Sequence, residues 1–199
     1  MAISLKEHYD RLIVRIQDIE GDIVECGVGA GATLKWMCLS LEEKKQNHRM
    51  VWGFDSFEGF PKPSEHQIGG KVVEEGYFLD KWHSDPDEAK KFLCESGYKA
   101  ENITMVKGFF ENSLHQYKGK QIALLHLDCD LYISYQVCLN TLYDKIPSGG
   151  ILALDEYRDK YWPGATKAIK EFFVQRKLDI NGIKKHKCRD RSRYFYIKP

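Results

Sequence analysis

Residues 21–34, GDIVECGVGAGATL, and 50–55, MVWGFD, carry the topology of this chain. A short β-branched run (22–28) enters the cluster Gly27-Val28-Gly29-Ala30-Gly31. The pattern then turns helical from Ala32 to Lys45, with Leu34, Met37, Cys38 and Leu41 on one face, and a second apolar run ends in Asp55. Strand, glycine turn, helix and strand in this order are the first unit of a doubly wound parallel sheet.

The flanking sequence continues the alternation. Leu5, Tyr9, Leu12, Ile13 and Ile16 recur at helical spacing, so residues 1–20 form a leading amphipathic helix that Gly21 ends. Further strands are expected at 102–106, 122–128 and 149–155, with helices at 86–97, 133–145 and 163–177. The run IALLHLD (122–128) is apolar almost throughout, which implies burial on both sheet faces. Residues 180–198 read as two strands around a CRDRS turn, an antiparallel hairpin at the sheet edge. The expected fold is therefore α/β, a doubly wound, mostly parallel, seven-stranded sheet in a single domain spanning 1–199. Residues 56–85 break the pattern, with Phe57, Phe60, Tyr77 and Trp82 among glycines and prolines, and read as a lid or acceptor-facing segment.

Composition narrows the function classes. Thirty Lys+Arg oppose 29 Asp+Glu for a net charge of +1, which disfavours a dedicated nucleic-acid or membrane-surface binder. Mean hydropathy is −0.48 and there is no apolar run of about 18 residues, so no transmembrane helix is expected. The first residues lack the pattern of a signal peptide, and the six cysteines lack C-x-x-C or zinc spacing. A reducing, cytoplasmic setting is the expectation.

In doubly wound sheets ligands bind beyond the carboxyl ends of the strands. Those ends are marked by the glycine cluster, Asp55, Gly108, Asp128, and Asp155-Glu156. Gly27, Gly29 and Gly31 admit a cofactor close to the backbone, Thr33 opens the helix beyond them, and Asp55 with Ser56 suits a ribose diol. Gly27, Gly29 and Ala32 also satisfy G-x-G-x-x-A, so a nicotinamide domain fits the turn. Glu25, inside the first strand, and the preceding helix favour S-adenosylmethionine instead. The Tyr-x-x-x-Lys pairs needed for one class of hydride chemistry fall at Tyr77/Lys81 and Tyr194/Lys198, away from the expected helix. Gly108 and Phe109 are candidates for packing on the adenine, with ordinary core packing as the alternative for Phe109.

Asp128 and Asp130 end the fourth strand, and Asp155 and Glu156 the fifth, about 5 Å apart laterally if the strands pair. Carboxylates so close repel unless a cation joins them. An all-oxygen set specifies a hard ion, Mg²⁺ first, with Mn²⁺ or Ca²⁺ as alternatives. Asp130 reads equally as a helix cap. His115 and His126 read as hydrogen-bonded structural groups rather than acid–base catalysts.

Four blocks, GDIVECGVGAGATL (21–34), VWGFDSFEGFPKP (51–63), LLHLDCDLYISY (124–135) and GGILALDEYRDKYWPGATKAIKEFF (149–173), resemble the macrocin O-methyltransferase family. The resemblance implies a Rossmann-like, class I methyltransferase fold using S-adenosylmethionine and Mg²⁺. It also implies O-methylation of sugar hydroxyls on glycosylated small molecules, and a homodimer. By the same resemblance Asp128, Asp155 and Glu156 would hold the ion, and Asp128 would be the general base. Glu156 stands where the family usually has aspartate, and His126 where arginine is common. The expected reaction is methyl transfer to one hydroxyl of a vicinal diol, with a small-molecule acceptor, no nucleic acid and no membrane partner. A catechol-type O-methyltransferase, a non-catalytic S-adenosylmethionine-binding module and a nicotinamide oxidoreductase remain as alternatives. The run KKHKCRDRSR (184–193) reads as a solvated edge hairpin, with a phosphate-bearing acceptor as the alternative.

Overall fold

A computed structural model describes residues 1–61 and 85–199. Tyr77, Lys81 and Trp82 therefore lie outside the described residues, as does most of the expected lid. The described chain runs α1 (Leu5–Arg15), β1 (Asp22–Cys26), α2 (Ala32–Glu43), β2 (Val51–Asp55), α3 (Pro86–Cys94), β3 (Ile103–Lys107), α4 (Phe110–Ser113), β4 (Ile122–Leu127), α5 (Tyr132–Leu142), β5 (Ile151–Leu154), α6 (Pro163–Gln175), β6 (Lys184–Lys187) and β7 (Ser192–Ile197). The sheet order is β3-β2-β1-β4-β5-β7-β6. The first five strands run parallel to one another, while β7 runs antiparallel to both β5 and β6. This is the seven-stranded, mostly parallel sheet with a terminal hairpin that the sequence predicts.

Local chemistry sets the element ends. Ser4 caps α1 by accepting from the Glu7 N–H at 3.1 Å, and Asp85 caps α3 by accepting from the Glu88 N–H at 2.7 Å with Pro86 in the first turn. The first strand stops at Cys26, short of the predicted Val28, because Gly27 turns the chain at φ +90°. The predicted helix at 133–145 closes as a tighter 3₁₀ turn over Tyr143–Lys145.

Two apolar layers clamp the sheet. On one face Tyr9, Leu12 and Ile13 of α1, Leu34 and Met37 of α2, and Leu93 of α3 pack on Ile23, Val51 and Leu124. On the other, Tyr135 and Leu139 of α5 and Ile169, Phe172 and Phe173 of α6 pack on Val24, Leu125 and Leu152. Every residue of β4 is buried, as its unbroken apolarity predicts. At about 1.5–3 kcal/mol per buried large apolar side chain, these two layers supply the main drive to fold. Their effect on function is to fix the carboxyl ends of β1, β2, β4 and β5 as one rigid edge.

Candidate active site

The strand ladders continue one residue past the sheet and thereby place the site. Gly27 N–H donates to Phe54 O at 2.8 Å, Asp128 N–H to Cys26 O at 2.9 Å, and Asp155 N–H to Leu127 O at 3.0 Å. Because Leu127 pairs with Leu154, Asp128 and Asp155 leave adjacent strands at the same level. The glycine turn and both acids are thus tied to one hydrogen-bonded frame.

Above this edge lies a cavity of about 780 Å³, of the size that takes a small molecule. Its floor is Gly27, Val28, Gly29, Ala30, Ala32 and Thr33; one side is Asp55, Ser56 and Phe57, and another is Asp128, Cys129 and Asp130. Phe109, Phe110, Ile133, Val137 and Trp162 supply apolar walls, and Phe60 stands edge-on to Trp162 with ring centroids 5.7 Å apart.

The predicted cofactor residues divide into those facing this cavity and those behind it. Gly27, Gly29, Thr33, Asp55, Ser56 and Phe109 line it. Gly31 lies outside the lining; a Cβ there would come within 2.7 Å of Leu93 Cδ1, so its role is to let α2 and α3 approach. Gly108, also outside, donates its N–H to Asp55 O at 2.9 Å. Asp55 is already engaged by the loop it faces. Its Oδ2 accepts from Val28 N–H at 2.8 Å and Gly29 N–H at 2.9 Å, and its Oδ1 from Phe57 N–H at 2.7 Å. A carboxylate has about four lone-pair sites, so one remains for a ligand hydroxyl. The Ser56 hydroxyl donates to Gly59 O and accepts from Glu58 N–H, shaping the turn after β2.

Glu25 lies behind the floor, fully buried. Its Oε1 is 2.8 Å from His126 Nδ1, and His126 Nε2 is 3.3 Å from the Tyr9 hydroxyl. Among the described residues nothing reaches Glu25 Oε2. Burial pushes the Glu25 carboxyl well up and lowers His126 to about 4, so both favour the neutral state. Both ring nitrogens of His126 are therefore hydrogen-bonded within the fold.

The acids do converge. Asp128, Asp155 and Glu156 each offer an oxygen, all within 4.8 Å of one another. Glu156 is buried, and its Oε2 accepts from the Tyr135 hydroxyl at 2.7 Å and from Asp130 N–H at 3.3 Å. The Asp128 and Glu156 carboxyls stand side by side in this cluster. Burial, then the nearby Asp155 charge, raises Asp128 to about 7, and burial raises Glu156 well above its ordinary value. Asp130, at φ +56° and on the cavity wall, is raised by burial and by Asp128. Asp155 alone is held down: burial opposes ionisation, but Arg193, His126 and Arg191 together outweigh it.

Those two arginines are what the sequence reading missed. The hairpin is not uniformly solvated: Arg193 Nη1 donates to Asp155 Oδ1 and Arg191 Nη2 to Asp155 Oδ2. Arg193 is buried, and Arg191 lines the cavity. The signal available was their i, i+2 spacing at the entry to a strand, where alternate residues tend to one side.

A sequence model described as Macrocin-O-methyltransferase (TylF) matches residues 4–186. Among curated proteins, the chain is 28% identical over 167 residues to the demethyldecarbamoylnovobiocin O-methyltransferase of Streptomyces niveus, covering 82% of this chain and 61% of that protein. It is 27% identical over 143 residues to the 8-demethyl-8-(2,3-dimethoxy-alpha-L-rhamnosyl)-tetracenomycin-C 4'-O-methyltransferase of Streptomyces olivaceus, covering 70% and 54%. The matches thus span less than two thirds of these relatives' length. In fold, the chain is similar to the O-methyltransferase NovP, with TM-score 0.80, 22% identity and coverage of 98% of this chain and 79% of that one. It is also similar to the calicheamicin methyltransferase CalS11, with TM-score 0.79, 22% identity and coverage of 96% and 77%. A match running from just before the first helix into the terminal hairpin, and so across the glycine turn and the acids described above, leads to one assignment: this chain belongs to the macrocin-O-methyltransferase (TylF) family.

Proposed function

We propose that this chain is an S-adenosylmethionine-dependent O-methyltransferase acting on a hydroxyl of a sugar or glycosylated small molecule, with a divalent cation at Asp128, Asp155 and Glu156. The observation that carries this reading is the opening of the glycine turn and of Asp128 onto the same cavity. Family membership and the name of one curated relative, which methylates a rhamnosyl-tetracenomycin, support the acceptor class.

The donor set fits a hard ion. It consists of oxygens alone, gathered within 4.8 Å of one another. Bound there, a divalent ion supplies acidification of a nearby hydroxyl, and the sulfonium donor supplies an electrophilic methyl group.

The residues of the chain have the remaining tasks. The backbone of Gly27–Gly29, braced by Asp55, leaves room beside Asp128 for a donor molecule. Phe109 and Phe110 offer apolar surface for a flat ring, and Trp162 with Phe60 closes the opposite side. The Asp128 carboxylate is the group to take the hydroxyl proton as the methyl–oxygen bond forms and the methyl–sulfur bond breaks. Asp128 lines the cavity, so a hydroxyl bound there comes within proton-transfer reach of it. Two adjacent hydroxyls on the acceptor would match the two acidic strand ends, which is why a vicinal diol is the proposed substrate group.

The test is an acceptor panel of rhamnosylated phenols, free sugars and catechols, each with S-adenosylmethionine and either Mg²⁺ or EDTA, read as S-adenosylhomocysteine released. Transfer to the sugar diols that EDTA stops is expected. Preference for catechols would move the acceptor class, and equal turnover in EDTA would remove the cation.

A further inference from the structure

The cation reading leaves a conflict that the structure itself resolves. Both oxygens of Asp155 already carry a guanidinium, Oδ1 from Arg193 and Oδ2 from Arg191. An ion shared by Asp128, Asp155 and Glu156 must therefore sit against one of these arginines, and two cations on one carboxylate repel strongly at such separations.

The two arginines are not held alike. Arg193 is enclosed, its side chain 9% exposed, and its Nη2 also donates to Asp190 Oδ2 at 2.6 Å. Its strand is paired on both sides, by β5 and by β6. Arg191 stands in the turn before that strand, with its side chain 39% exposed on the cavity wall. It has a second acceptor within reach: Nη1 donates to Asp159 Oδ2 at 3.2 Å. Asp159 is anchored through its other oxygen, which accepts from Tyr161 N–H at 2.7 Å.

We propose that Arg191 is a resident cation that competes with the divalent ion for Asp155, yielding that carboxylate and keeping Asp159 when the ion binds. This deepens the metal-dependent reading above and rests on it. Without the ion, Arg191 and Arg193 neutralise the acids and the hairpin turn covers this side of the cavity. With it, the turn at Asp190–Arg191 is released from Asp155, so ion loading and opening of the wall beside the acceptor space are one event. Arg193 stays in place and keeps Asp155 aimed at the cluster.

Binding of Mn²⁺ alone, followed by electron paramagnetic resonance on the full chain, tests this without any turnover. Arg191→Gln removes the competitor and no ligand, so Mn²⁺ should bind at least tenfold more tightly than in the wild type. Asp159→Asn removes the alternative seat and should weaken Mn²⁺ binding about threefold. A Glu156→Gln control should abolish it. Equal or weaker binding in Arg191→Gln, with Glu156→Gln still abolishing it, overturns the competition and leaves the ion site standing. No binding to any of the proteins overturns both. Hydrogen exchange on the wild type gives an independent reading: Mg²⁺ should speed exchange of the amides at 188–191, and slowed or unchanged exchange contradicts the release.

Discussion

Alanine at Gly27 tests whether the glycine turn and the acid end of β4 are one mechanical unit. A Cβ on Gly27 would lie 1.8 Å from the Asp128 carbonyl oxygen and 2.6 Å from its carbon. Ordinary carbon–oxygen contacts begin near 3.3 Å, so one strand end must retreat by about 1.5 Å. Neither end is free to do so, since Gly27 N–H is bonded to Phe54 O and Asp128 N–H to Cys26 O. The φ of +90° adds about 1–2 kcal/mol for any residue with a Cβ, and forced overpacking about 1–3 kcal/mol. Gly29→Ala is the control: at φ +52° it carries a similar backbone term, but its Cβ would have no described heavy atom within 4 Å. Urea unfolding should therefore place Gly27→Ala about 2–5 kcal/mol below the wild type and Gly29→Ala about 1–2 kcal/mol below it. In melting temperature the gap between the two variants is worth about 2–4 °C per kcal/mol for a chain of this length. Equal destabilisation by the two substitutions would refute the contact argument, and a stable Gly27→Ala would refute the whole frame.

The other expectations concern charge. Asp55→Asn replaces one of two accepting oxygens by an amide that faces a backbone N–H, which should cost about 1–3 kcal/mol in urea unfolding. Arg193→Gln leaves Asp155 with an uncompensated buried oxygen and should destabilise by about 3–5 kcal/mol, well beyond any exposed arginine such as Arg189. Asp128 is raised to about 7, above its ordinary value, so the folded state favours its protonated form. That contribution is complete below about pH 4 and is lost as pH rises through about 7. In EDTA the melting temperature should accordingly fall between pH 5 and 8, and Asp128→Asn should flatten the slope; a melting temperature that rises over this range contradicts the raised carboxyl.

The path from sequence to site was legible wherever a local pattern had a single physical reading. The unbroken run over 122–127 can only be buried on both faces, and so it is. Acids directly after two such strands must meet if the strands pair in register, and the Leu127–Leu154 pairing brings Asp128 and Asp155 to one level. What stayed hidden depends on partners remote in sequence. Asp55 was readable as the acid after β2, but its capture by the N–H groups of Val28 and Gly29 requires knowing how the glycine loop bends. Glu25 was readable as an acid within β1, yet it lies outside the cavity lining and meets His126 on the neighbouring strand β4. Arg191 and Arg193 were submerged in a run of six basic residues, where net charge conceals which two point inward.

The claim beneath all of this is that the turn at Gly27–Gly31 and the cavity above it receive S-adenosylmethionine rather than a dinucleotide. Calorimetric titration of the full chain with S-adenosylhomocysteine, and in parallel with NADH, addresses it directly. Saturable one-to-one binding of S-adenosylhomocysteine with no heat from NADH is the predicted result; binding of NADH without S-adenosylhomocysteine would contradict it.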